Sequence, residues 1–255
     1  VPIPKSSSPS SSTPPRRAFE DYLKNILVLE TDPVRPDDLD DPKPADDSDA
    51  KIVSMGDLAA AVGVTAAAAT AMVQKLAESR LIRYEPYVGV SLSAKGRRLA
   101  ASVLRRHRLV ETFLVDTLGL DWAEVHDEAD RLEHAMSDRL VNALDVFLGH
   151  PSTDPHGDPI PNAAGVVEDP ACRRLWSCEP RSEVRIERIL DQSEEFLTYI
   201  SAQGLRPGAK IEVVSVSPTS DTMVVSALPV VFRGRKVQPA PLTLARSAAG
   251  KILVE

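Results

Sequence analysis

Apolar residues recur along this chain with a period that changes from helical to alternating and back, and each change predicts an element. Phe19, Tyr22, Leu23, Ile26, Leu27 and Leu29 fall at helical spacing up to Glu30, which puts them on one stripe of a first helix. A second periodic stretch begins near Ile52. Ser54 stands where it can cap a helix carrying Met55, Leu58, Ala59 and Val62, and Gly63 can end it. Thr65 can cap the next helix, over 66–79, with Met72, Val73 and Leu76 on its inward face. Two helices joined by a short glycine turn have the spacing of a helix-turn-helix. The period then falls to two at 81–84 and 88–92, on either side of Glu85-Pro86-Tyr87, which predicts a hairpin. The expectation for 17–98 is a winged helix-turn-helix.

Ser93-Ala94-Lys95-Gly96 opens a long helix through His107 and Glu111 to about Gly119. Asp121 can cap another, from Trp122 through His134 toward Leu140, with 141–148 continuing until Gly149-His150-Pro151 stops it. These helices, 99–150, carry more apolar surface than a small winged domain can cover, so a symmetric dimer interface is expected there. Residues 151–182 read as a turn-rich linker, whose His156, like His150 just before it, reads as a loop residue rather than a ligand. From 183 the pattern is strand 184–190, helix 193–203, then strands 210–217, 222–227, 230–232, 236–238 and 252–255. Short strands separated by Gly/Pro turns predict a small barrel. The fold class expected is a mostly α winged helix-turn-helix and helical dimerisation domain followed by a small all-β, SH3-like barrel.

Composition changes this picture at two places. The Ser/Pro-rich stretch 1–16 has nothing to bury and reads as a disordered tail. The stretch 31–50 holds eight Asp and four Pro against one Arg and one Lys, which predicts an acidic loop. The net charge of −7 hides a local asymmetry: 75–108 holds nine Lys or Arg against two acids. A cationic surface of that kind is what phosphate neutralisation requires. The DNA-binding candidates are therefore Thr65, Thr70, Gln74 and Lys75 around the second helix of the motif, with Arg97 and Arg98 for the backbone. Ala67, Ala68 and Ala71 could meet thymine methyls, so hydrogen-bonded base readout should be modest. Cys172 and Cys178 do not make a disulfide framework. No apolar run approaches the ~18 residues of a membrane span, and no signal segment is visible. The chain is expected to be soluble and cytoplasmic.

The chemistry concentrates between His107 and His134. His126, Asp130, Glu133 and His134 fall at i, i+4, i+7 and i+8, one helical face, and His107 and Glu111 are again i, i+4. Two helices could aim these groups at one point. Nitrogen and oxygen donors without a thiolate suit a divalent first-row ion, and an oxygen-rich set favours manganese. Three functions could use such a cluster: a metal-gated DNA-binding protein, a metal-dependent hydrolase activating a water, or a DNA-binding scaffold in which the cluster is only surface. Against the hydrolase, the chain lacks a zincin motif, a nucleophile elbow and a Gly-rich phosphate loop.

Several of these stretches resemble one family. Ala18-Phe19-Glu20-Asp21-Tyr22-Leu23, Met72-Val73-Gln74-Lys75-Leu76, Leu92-Ser93-Ala94-Lys95-Gly96, Arg106-His107-Arg108-Leu109-Val110-Glu111 and the run from Val125 to His134 are similar to the diphtheria-toxin-repressor and manganese-transport-regulator family. Gly204-Leu205-Arg206-Pro207-Gly208 resembles the entry to its C-terminal SH3-like, FeoA-type domain. The resemblance covers about 17–255. It implies a repressor of metal-uptake genes, not an enzyme, that binds double-stranded operator DNA as a homodimer when a divalent metal is bound. It further implies one metal site at His107, Glu111 and His126, completed from the C-terminal domain by Gln192 and Glu195. A second would use Asp21, Asp130, Glu133 and His134. Carboxylates at Asp21 and Asp130 match the manganese branch, with Fe2+, Co2+ or Zn2+ as other ions the ligands could take. Lys24 departs from the carboxylate that short manganese regulators carry.

Overall fold

The computed structural model describes residues 16–31, 52–167, 171–228, 230–232, 235–237 and 240–255. The expected tail (1–16, apart from Arg16) and nearly all of the acidic stretch 31–50 lie outside these residues. Two compact units divide at Ala100.

In the first unit, helix α1 (Arg16–Thr31) precedes α2 (Met55–Val62) and α3 (Ala66–Glu78). Ser54 Oγ accepts the Asp57 amide at 3.1 Å and Thr65 Oγ1 the Ala68 amide at 3.3 Å, so each helix starts on its own hydroxyl cap. Gly63 ends α2 with φ 71°, the left-handed turn that favours glycine. Leu58, Ala69, Val73 and Leu76 are fully buried. Strands β1 (Ile82–Glu85) and β2 (Gly89–Leu92) form the wing, Ile82 opposite Leu92. Val53 bridges to Val90 on the far side of β2, and a Cβ at Gly89 would stand 2.3 Å from the Val53 carbonyl. Only glycine lets the two backbones approach. Glu30, at the end of α1, accepts the Leu92 amide at 2.7 Å and an ion pair from Arg97, which ties α1 to the wing.

Helix α4 (Ala94–Asp116) leads into the second unit, followed by α5 (Val125–Glu133) and α6 (Asp138–Phe147). The expected helix from Trp122 past His134 is divided. Asp121 instead holds a turn through the Ala123 amide, and Ser137 Oγ accepts the Leu140 amide at 3.3 Å, capping a separate α6. A serine in extended geometry with Asp in the following turn is a start signal that overrides continuity of the apolar stripe.

The C-terminal part comprises β3 (Arg173–Arg174), β4 (Glu183–Ile189), α7 (Glu194–Ala202), β5 (Lys210–Ser217), β6 (Thr222–Ala227), β7 (Val230–Phe232), β8 (Arg235–Val237), β9 (Leu242–Ala245), α8 (Arg246–Ala249) and β10 (Ile252–Val254). Six strands form an antiparallel sheet in the order β3-β10-β4-β5-β6-β9, and β7 and β8 pair as a separate hairpin. The small all-β domain is as expected, and β3 and β9 are strands the sequence pattern did not mark. Its core holds Ile186, Ile189, Leu197, Ile200, Ile211, Val213 and Met223. Leu175, Cys178 and Trp122 belong to the same core, so the end of the expected linker 151–182 and the α4–α5 turn are both part of the sheet domain. The start of that linker is also structural: Asp154, His156, Asp158 and Ile160 are buried.

Candidate metal centre

His107 sits on α4 with its ring almost wholly buried, and four groups converge on it. Its Nε2 lies 3.0 Å from Glu111 Oε1 and 3.1 Å from His126 Nδ1, and the latter two atoms are 3.2 Å apart. Its Nδ1 lies 2.8 Å from Glu133 Oε2 and 3.2 Å from Asp130 Oδ1. The i, i+4 step on α4 and the i, i+4, i+7 steps on α5 bring this about, as helical geometry requires. His134 Nε2 stands 3.2 Å from the other Glu133 oxygen.

The three-atom triangle of His107, Glu111 and His126 has a size with chemical meaning. Ligands about 2.1 Å from one ion at octahedral angles lie about 3 Å apart, which is the spacing observed. The residues therefore fit a small divalent ion. Without an ion, protons must hold the cluster together. Burial opposes charge on His107, but Glu111, then Asp130 and Glu133, outweigh it and hold the imidazole pKa well above its ordinary value. Burial also opposes the Glu111 charge, yet His107 and His126 keep that carboxyl well below the usual range.

A second group shares Glu111. Glu111, Asp154 and His156, all buried, each offer an atom within 4.8 Å of the others. His156 Nε2 meets the Trp122 carbonyl at 2.8 Å, and a carbonyl can only accept, so Nε2 is the donor and Nδ1 is the ring atom left for a ligand role. That Nδ1 is buried with no hydrogen-bond partner among the described residues, 3.9 Å from Asp154 Oδ1. The Asp154 carboxyl is pushed up to about 7 by burial, then by the charges of Asp158 and Glu111. Reading His156 as an ordinary loop residue overlooked this. The available signal was its place two residues after Asp154 in a Pro-rich turn. His150 stays at the surface, paired with Asp145 at 2.7 Å.

The remaining expected ligands are placed differently. Gln192 donates to Asp158 at 2.8 Å, and Glu195 is exposed in the first turn of α7. Neither joins the cluster. Asp130 faces His107, and at 3.8 Å His126, which unites groups expected to form two sets. Asp21 lies on α1 in the first unit.

Three family profiles match in chain order. The iron dependent repressor N-terminal DNA binding domain covers 45–90, the iron dependent repressor metal binding and dimerisation domain 93–162, and the FeoA domain 173–255. The diphtheria toxin repressor of Corynebacterium jeikeium is 30% identical over 166 residues, which span 56% of this chain and 69% of that protein. The iron-dependent repressor IdeR of Mycobacterium leprae is 32% identical over 166 residues, spanning 60% and 71%. The chain belongs to the iron-dependent repressor family. It is a metal-dependent transcriptional repressor and not an enzyme, so the hydrolase alternative falls. Among solved structures, a manganese-dependent transcriptional repressor in complex with manganese is similar at 36% identity and a TM-score of 0.76, covering 92% of this chain and 98% of that one.

The DNA-binding candidates of the repressor separate into two kinds. Gln74 and Lys75 are exposed on α3 beside Ala67, Ala68 and Ala71, and Arg98 is exposed on α4. Thr65 is occupied as the α3 cap and the Thr70 hydroxyl donates to the Ala66 carbonyl at 2.8 Å. Arg97 is engaged by Glu30. The basic run is also shorter than its composition suggested. Arg105 pairs with Asp145, Arg106 with Asp138 and Arg108 with Asp158, leaving Lys75, Arg80, Arg83, Lys95 and Arg98 as the exposed cations of that stretch.

Proposed function

We propose that this chain is a manganese-activated repressor that binds operator DNA as a homodimer. The observation that carries the metal assignment is the triangle of His107, Glu111 and His126, an N/O donor set of octahedral edge length. Asp130 and Glu133 add oxygen donors behind it. Asp154 and His156 form a second group with Glu111, so this carboxylate can serve two ions. Hard donors select manganese through geometry and availability, since intrinsic affinity for a given set rises toward copper. Dimerisation is supported by exposed apolar residues on the helices that match the dimerisation profile: Leu132 on α5, and Leu140, Val146 and Phe147 on α6. Leu140 and Phe147, seven apart, share one helical face.

His107 and Glu111 of α4 and His126 of α5 would hold the ion, whose charge would stand in for the protons of the metal-free cluster. By linkage, the free energy by which Mn2+ favours DNA binding equals that by which DNA favours Mn2+, typically about 1 to 3 kcal/mol. A fluorescence-anisotropy titration of duplexes selected from a random pool checks this. Mn2+ should tighten binding by roughly 5- to 150-fold, and a chelator should reverse it. Equal affinity with and without metal would refute the reading.

A further inference from the structure

The loop that carries Asp154 and His156 is held from both sides by one carboxylate. Asp158 accepts hydrogen bonds from Arg108 at 3.2 Å, from Gln192 at 2.8 Å, and from Arg188 Nε. Arg108 belongs to α4, one residue beyond His107, while Arg188 and Gln192 belong to β4 and the turn after it. All three charged side chains are buried. Arg108 also donates to the Pro159 carbonyl and lies 3.7 Å from Asp154 Oδ2.

The backbone follows the side chains. Asp154 Oδ1 accepts the amides of His156 at 2.8 Å and Asp158 at 2.9 Å, and the Asp154 amide donates to the Asp158 carbonyl at 3.0 Å. The Ile189 amide of β4 donates to the His156 carbonyl at 2.9 Å. Gly157, at φ 86°, presses so close to the sheet that a Cβ would stand 1.9 Å from the Glu187 carbonyl. The loop is thus part of the sheet domain's surface and of the metal centre at once. Two buried guanidiniums around one carboxylate are compensated only while that carboxylate is charged. Burial opposes the Asp158 charge, but Arg108 and Arg188 hold its carboxyl below the usual range.

We propose that Asp158 is a positioning residue: by joining Arg108 of the metal-bearing helix to Arg188 and Gln192 of the sheet domain, it docks that domain without metal and presets Asp154 and His156 as ligands. The sheet domain then contributes to the metal centre by holding that loop in place. The docking half stands without a metal, whereas the presetting half rests on the reading of Asp154 and His156 as ligands.

Hydrogen exchange of the full-length chain, resolved to single amides, tests the docking. The Ile189 amide should be equally protected in chelator and in Mn2+. Asp158→Asn should lower its protection by about tenfold or more, as expected for opening a local unit, while the Val225 amide in the same sheet keeps its protection and reports that the domain is folded. Gly157→Ala should act alike through collision, with no change of charge. Protection lost from the wild-type chain on chelation, or retained in both variants, would overturn the docking. Co2+ titration followed by visible absorption tests the presetting. Arg188→Ala should weaken Co2+ binding by about tenfold, the size seen when outer partners of a metal site are removed, and Arg188→Lys should restore part of it. An unchanged Co2+ affinity alongside a lost Ile189 protection would overturn the presetting and leave the docking in place.

Discussion

At the scale of the residue, the metal centre is a problem in proton placement. His107 is buried among three carboxylates that raise its pKa, so in the metal-free protein the imidazolium contributes stability below about pH 6.5, the unfolded value, and that contribution is lost as pH rises through the higher folded value. Asp154, with its carboxyl at about 7, has the same sign: protonated it is tolerated, and ionised it is a buried charge beside Asp158 and Glu111. Glu111 has the opposite sign, stabilising above its ordinary range and losing effect only in strong acid. Between about pH 6 and 8 the first two therefore decide. The chelated protein should melt at a lower temperature at the upper end of that range, and Asp154→Asn should flatten the slope. With Mn2+ the trend should reverse, because binding displaces the protons and affinity rises with pH. Calorimetry across this range with and without chelator measures both, and a chelated melting temperature that climbs with pH would contradict the assignment.

At the scale of the element, the positions that cannot change are those where backbones touch. Gly96, in the first turn of α4, faces the Leu81 carbonyl so closely that a Cβ would lie 1.9 Å from it. Ser93 fixes the same junction: its hydroxyl donates to the Arg80 and Leu81 carbonyls, both at 2.9 Å, and accepts the Gly96 amide at 3.0 Å. Gly96→Ala adds helix propensity but forces α4 away from the wing. Overpacking of this kind costs typically about 1–3 kcal/mol, more than the ~1 kcal/mol alanine gains over glycine in a helix. Urea denaturation should show net destabilisation, and an unchanged or raised midpoint would mean the junction is looser than it looks.

At the scale of the whole molecule, charge and apolar surface decide what is bound. Arg97 and Arg98 are neighbours in sequence with different work. Arg98→Ala should weaken binding to all duplexes alike and reduce the salt dependence by roughly one unit, the share of a single phosphate left without its guanidinium. Arg97→Ala instead deprives the buried Glu30 carboxylate of its ion pair, so it should lower the melting temperature and leave the salt slope alone. Binding isotherms at several salt concentrations separate the two, and identical slopes for both variants would place Arg97 on the DNA after all. For the dimer, Leu140→Asp with Phe147→Asp sets charges on the exposed face of α6 and should give a monomer by sedimentation, with DNA affinity reduced. A double variant that still sediments as a dimer would move the interface elsewhere.

Periodicity and local chemistry by themselves determined much of this protein. The caps Ser54 and Thr65, the left-handed Gly63 and the alternation at β1, β2, β5 and β6 are decided within a few residues, so helix-turn-helix, wing and sheet were legible. So were His107, Glu111, His126, Asp130 and Glu133, because helical spacing alone puts them on shared faces. Tertiary structure decided the rest. Whether a carboxylate binds an ion or a guanidinium depends on what packs against it, so Gln192 went to Asp158 and not to the cluster. Arg105, Arg106 and Arg108 count as DNA-facing charge by composition, and only the folded chain shows them paired with Asp145, Asp138 and Asp158. His156 has no period to mark it. Its placement comes from Trp122, thirty-four residues earlier, whose carbonyl accepts from Nε2 and leaves Nδ1 on the side of Asp154.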